Sequence, residues 1–237
     1  MNKLNSFLTL SLLSITSTYA QANAPAESTG LTSLIEQGGL SLTVLLIISF
    51  FCLTLSIYLF FTIRLELIAP TAFITEAEKV ADTHDFEALK AICRKEKTPA
   101  AEVIGAAAIE LDLNPESSYQ IIRDAVEDEG NRQANAIWQK IQYLMDIAVI
   151  SPMIGLLGTV IGMRDSFSGI QNGFGQVKPM NLAGGIGKAL ITTAGGLILG
   201  ITAMIIHAYF RGRVNRILSE MENRCGRVLR TFASKNK

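Results

Sequence analysis

Charge is scarce in this chain: 21 basic and 21 acidic residues among 237, 18% of the total against 49% apolar. A soluble domain carries about a quarter of its residues charged, so this deficit, with a mean hydropathy of +0.33, turns the reading toward a membrane protein. The two signs cancel, and nothing global points to nucleic acid or to an acidic substrate. Histidine is scarcer still. His84 and His207 are the only two and lie far apart, so no Ser-His-Asp or Cys-His arrangement suggests itself and no enzyme is expected. The three cysteines are Cys52 in an apolar run, Cys93 in a charged segment and Cys225 in a basic tail. Their odd number and lack of metal-ligand spacing leave neither a disulfide framework nor a zinc site to expect, and no cofactor is expected either.

What the chain has in plenty is uninterrupted apolar sequence. Residues 40–63 carry no charge, and 24 residues at about 1.5 Å each cross a bilayer with some tilt. Arg64 and Glu66 close this first span. Residues 1–20 read as a cleaved signal peptide, with Lys3, an apolar core over 4–15, and Thr18 and Ala20 at the positions a signal peptidase inspects. The alternative, an uncleaved fourth span, suffers from a core too short for about 30 Å of hydrocarbon. Residues 21–39 would then form a periplasmic amino-terminal segment.

Residues 64–140 are too charged for lipid and patterned as helices over 73–94 and 100–113, with a third beginning at Asn114-Pro115-Glu116. An N-cap residue, proline at the first helical position and an acid in the first turn mark that start. No proline follows until the second span, which makes one long rod the expectation. Asn135, Gln139, Gln142 and Asp146 share one face of it, either an interfacial face or the wall of a water-lined vestibule. The second span is read at 141–163 and the third at 189–210. Residues 164–188, rich in glycine, read as a loop between them, and 211–237 as a basic amphipathic tail. That tail holds eight Lys and Arg residues, whereas the loop holds Arg164, Lys178 and Lys188. The positive-inside rule therefore places the tail in the cytoplasm and the loop and amino terminus in the periplasm, in agreement with the signal peptide.

The run Gly184-Gly185-Ile186-Gly187-Lys188 is no phosphate-binding loop: its first glycine would fall at Leu182, and Ala189 replaces the required hydroxyl. The informative residues are inside the spans. Ala148, Pro152, Gly155, Thr159 and Gly162 recur at helical spacing on the second span; Ala189, Thr193, Gly196, Gly200, Ala203 and His207 do so on the third. Each span thus has a narrow face of small residues carrying one threonine. Close helix packing accounts for such faces, with Gly158 and Gly162, and Gly196 and Gly200, at small-xxx-small spacing. Faces lining a shared cavity, with the hydroxyls as polar stations, are the functional alternative. His207, near a helix end, suits either an interfacial or a pathway role.

Residues 151–163, SPMIGLLGTVIGM, followed by Asp165-Ser166-Phe167, resemble the second-span signature of the MotA/TolQ/ExbB proton-channel family, nearest its ExbB and TolQ branch. Residues 185–197, GIGKALITTAGGL, resemble its third-span signature, and residues 125–131, AVEDEGN, have the acidic character that precedes the second span there. The resemblance implies an all-α inner-membrane protein of three transmembrane helices with long cytoplasmic helical extensions. It further implies a homo-pentamer around the single helices of an ExbD- or TolR-like partner, coupled to a periplasm-spanning TonB- or TolA-like protein. In that family the proton rides on a partner aspartate faced by two channel threonines, which correspond to Thr159 and Thr193. Thr192, about 100° round the helix, is expected to face another helix. Two departures stand out. Lys188 occupies the place of a usual glutamate at the pore mouth, and Thr202 that of a usual proline. They motivate the alternative of a non-conducting scaffold with the same fold, unless Lys188 simply snorkels to the interface.

Overall fold

The computed structural model describes residues 31–83, 85–113, 119–171 and 179–233. The expected signal peptide, His84, the Asn114-Pro115-Glu116 helix start and the middle of the expected loop lie outside the described residues. Among the described residues the chain is helical with no strand: α1 (Leu31–Thr62), α2 (Leu65–Ile68), α3 (Thr71–Thr83), α4 (Phe86–Lys95), α5 (Pro99–Leu113), α6 (Tyr119–Gln171) and α7 (Pro179–Ala233). Stretches of α1, α6 and α7, Gly39–Thr62, Gln120–Ser168 and Ala183–Thr231, are long and apolar enough to cross a membrane.

Three details differ from the sequence reading. The helix expected over 73–94 is two, Thr71–Thr83 and Phe86–Lys95, and Asp85 caps the second, its carboxylate accepting from Ala88 N at 2.9 Å. The helix that carries the second span does not stop at 163 but continues to Gln171, and the helix of the third begins at Pro179, so both flanks of the expected loop are helical. Glycine weakens a helix only where nothing compensates, and here Gly162 meets Ala189 and Gly185 meets Ser166. Pro179 is the first residue of α7, where the missing N–H costs nothing.

In α1 the apolar run makes the helix, and Gly39 breaks its start with φ 61°, a backbone that only glycine takes without strain. Leu45, Cys52 and Leu59 form its inner side, while Phe50, Phe51, Leu53 and Phe61 are more than half exposed. So large an apolar exterior suits lipid and not water.

The rods α6 and α7 pair antiparallel along most of their length. At the polar end α3, α4 and α5 wrap around them, burying Phe73, Ile74, Leu89, Ile104 and Leu111 against Ile137, Val214, Met221 and Val228. Each such side chain contributes about 1.5–3 kcal/mol. Arg224 of α7 locks this bundle to the elbow after α1: it donates to Ala69 O at 2.9 Å and Thr71 Oγ1 at 3.0 Å, and pairs with Glu220. Arg227 adds a bond to Glu78 at 3.2 Å.

Candidate functional site

The two small-residue faces meet each other. A Cβ on Gly196 would stand 2.6 Å from Ser151 O, one on Gly155 3.1 Å from Thr193 Cα, and one on Gly162 3.1 Å from Ala189 Cβ. At Gly200 the same construction meets Ala148 O at 2.9 Å and Pro152 Cγ at 2.8 Å. Pro152 has no N–H to give Ala148, so that carbonyl is freed, and the bare Cα of Gly200 covers it. Backbones this close make the seam a contact of main chain on main chain, which side chains larger than alanine would pry open. Ser151, fully buried here, donates to Ile147 O at 2.6 Å. Sequence reasoning passed over Ser166, although it extends the four-and-three spacing; its hydroxyl donates to Gly162 O at 2.8 Å and closes the seam against Gly185.

The seam has two edges, and the threonines sort onto them. Thr192 is 2% exposed, donates to Lys188 O at 3.1 Å, and occupies the space beside Gly158, with Ser41 of α1 adjoining. Leu42 and Leu45 of α1 reach Gly195 on the same side. Thr159 and Thr193 are rotated to the opposite edge, away from α1, about one helical turn apart along the seam. Both are half-buried. Thr193 Oγ1 donates across the seam to Gly155 O at 3.0 Å, and Thr159 Oγ1 donates to Leu156 O, a turn below it, at 2.7 Å. With their protons committed to carbonyls, the two oxygens keep their lone pairs as acceptors.

The remaining candidates are dispersed. Lys188 is exposed at the loop end of α7, with no ionic partner among the described residues. Thr202 donates to Ile198 O at 2.8 Å, so α7 runs on where a proline would bend it. His207 is half-buried toward the polar end of α7. Asp146 is exposed on α6, accepting from Gln142 Nε2 at 3.4 Å. In the polar bundle, α4, α5 and α6 enclose a cleft of about 390 Å³. Its Arg132 and Lys90 are paired with Glu129 and Asp112. Among the described residues no His, Cys, Asp and Glu side chains gather into a group that could hold a metal ion.

The profile of the MotA/TolQ/ExbB proton channel family matches residues 95–223, which include both signatures, the seam and the polar bundle's α5. Individual relatives are similar over shorter stretches. The chain is 32% identical over 141 residues to the biopolymer transport protein ExbB of Salmonella typhimurium, covering 56% of each chain. It is 32% identical over 114 residues to the Tol-Pal system protein TolQ of Haemophilus influenzae, 47% of this chain and 50% of that one. With the biopolymer transport protein exbB1 of Vibrio cholerae it shares 47% identity over 58 residues, about a quarter of either. The chain thus spans from a quarter to 56% of the length of these relatives.

Proposed function

Because the chain belongs to the MotA/TolQ/ExbB proton channel family, we propose that it is the channel subunit of an inner-membrane motor driven by the proton-motive force. It works with an ExbD- or TolR-like single-span partner and energises a TonB- or TolA-like protein that reaches across the periplasm, for outer-membrane transport or envelope maintenance. The basic tail lies in the cytoplasm, and copies of the chain enclose the partner's helix as a pentamer.

The observation that carries this reading is the placement of Thr159 and Thr193 on one edge of the seam, away from α1 and a turn apart. A partner carboxylic acid passing that edge meets two hydroxyl oxygens whose own protons are engaged. Such oxygens accept a hydrogen bond from a protonated carboxyl, and favour it over a carboxylate, which needs donors. A neutral acid is the form in which a proton crosses hydrocarbon. The electrical drive is about 2.3 kcal/mol per charge per 100 mV, enough to bias a step of modest height.

The test is proton flux into liposomes holding this chain with its partner. Thr193→Val should depress flux while the complex still assembles, because the lost bond to Gly155 O contributes only about 1 kcal/mol. A partner lacking its membrane carboxylate should abolish flux. Equal flux with and without that carboxylate would favour the second reading, a non-conducting scaffold, for which the exposed cation of Lys188 at the pathway mouth is the motivating observation.

A further inference from the structure

Asp146 carries a carboxylate on a membrane-crossing helix, yet the chain's own helices leave it exposed. Nine residues separate it from Gly155, which is two and a half turns, so it projects from the back of α6, opposite the seam. Its depth follows from the contacts. Gly195 lies against Leu42 and Leu45, and Arg213 stacks on the Phe60 ring, so α1 and α7 run parallel. Gly158 lies against Ser41, and Gly200 against Ala148 and Pro152, so α6 is antiparallel to both. This arrangement sets Asp146 level with about Leu53 on α1 and Ala203 on α7. From Leu53 to Arg64, the first charge after the apolar run, is about 16 Å of helix; from Ala203 to Arg211 is about 12 Å. Half the hydrocarbon thickness is about 15 Å. On α6 itself the nearest charge, Lys140, is six residues or about 9 Å away, so Asp146 lies about 9–16 Å inside the first charges, within the leaflet of the polar end and deeper than an interfacial residue.

It is not isolated there. Asn135, Gln139 and Gln142 are exposed on the same face, spaced about one turn apart from the level of the two arginines up to Asp146. Beyond Asp146 the face turns apolar, with Val149 50% and Met153 64% exposed. A polar ladder that enters from one side and stops at a carboxylate cannot face lipid, which solvates neither amides nor a carboxylate. In a closed ring built by head-to-tail contacts, the back of α6 meets a different face of the next copy.

We infer that these four residues line a water-filled inlet between this chain and a second copy of it, open at the polar end and closed at Asp146, whose carboxyl exchanges protons with that water. The Asp146 O–H bond breaks, its proton passes to a water to give hydronium, and the carboxylate remains until the reverse step restores the acid. The assignment of proton exchange rests on the channel reading above, and the second copy as the inlet's wall rests on the ring of copies proposed there; the polar ladder itself rests on neither.

The experiment uses inside-out vesicles and a full chain whose Cys52, Cys93 and Cys225 are replaced by alanine. Asp146→Cys should react with a charged, membrane-impermeant thiol reagent at least tenfold faster than Leu53→Cys, a residue of equal depth on the outside of α1. The rate should be the same with and without the single-span partner. Equal slow rates would overturn the inlet, and a rate that needs the partner would overturn the second copy as its wall. In the complex, Asp146→Asn should cut proton flux severalfold and Asp146→Glu should retain most of it; unchanged flux in Asp146→Asn would overturn proton exchange. A wild-type complex that carries no protons would sink the channel reading instead, and thiol labelling would still decide the inlet.

Discussion

Replacing Gly196 by alanine should part α6 from α7. The new Cβ would stand 2.6 Å from Ser151 O, 3.0 Å from Gly155 Cα and 3.2 Å from Gly155 N. All three are backbone atoms and cannot swing aside, and a carbon rests against a carbonyl oxygen at about 3.3–3.6 Å. The helices must therefore separate by about 0.7–1 Å at their nearest point. Such a gap forfeits a quarter to a half of each dispersion contact it opens, at about 0.1–0.2 kcal/mol per atom pair, and overpacking costs about 1–3 kcal/mol by itself. Against this, alanine favours a helix over glycine by about 1 kcal/mol. The net is a loss of about 1–3 kcal/mol. Gly212 is the internal control: it lies on the same helix with nothing within 4 Å of a new Cβ, so Gly212→Ala keeps the propensity gain alone. With about 2–4 °C per kcal/mol for a chain of this size, the two variants should melt about 5–15 °C apart in detergent, followed by circular dichroism. Gly196→Ala melting at or above Gly212→Ala would refute the backbone-contact account of the seam.

Further expectations come from the polar bundle. Arg224→Gln loses charge-assisted bonds to Ala69 O and Glu220 on a side chain only 13% exposed, and should lower stability by about 1.5–3 kcal/mol; a change under about 0.5 kcal/mol in chemical denaturation would contradict the lock at the elbow. Burial of Cys225 among the bundle helices pushes its thiol up to about 12. At pH 8 the native protein should alkylate there about a thousandfold more slowly than the unfolded chain, a ratio measured by mass spectrometry of iodoacetamide adducts. For Glu129, burial pushes the carboxyl up, but donors from Arg132 and Gln133 outweigh it and the net shift is down. A depressed carboxyl adds stability that is complete above its unfolded value of about 4.3 and is lost as pH falls through the lower folded value. The advantage of wild type over Glu129→Gln should hold above about pH 5 and vanish on further acidification; an advantage that grew instead would reverse the assigned sign.

Much of the architecture was legible because its signals are local. The charge-free run over residues 40–63 marks α1, and the lack of any proline between Glu116 and Pro152 marks the long rod of α6. The helical flanks of the 164–188 segment were not legible, since Gly185, one of the glycines that suggest a turn, lies in helix against Ser166, 19 positions away. The threonine stripes show the same boundary. Periodicity says that Gly155, Thr159 and Gly162 share a face, but what lies opposite is a tertiary fact, and there the structure places Ala189, Thr193 and Gly196. It also sends Thr192 toward α1, the other-helix placement expected from its 100° offset. The depth of Asp146 was legible only in part: its own helix sets it six residues past Lys140, and only the alignment with α1 and α7 relates it to their apolar runs.

The continuity of α6 and α7 has a mechanical corollary. At 53 and 55 residues, each is a stiff beam of about 80 Å, and the one proline inside them, Pro152 of α6, is wedged against Gly200. Beams without a joint do not absorb a push; they pivot. A tilt of about 5° near the threonines would sweep the far end of the polar bundle through several ångströms, so any partner gripping that end would sense events at the opposite side of the bilayer as displacement and not as a change of shape.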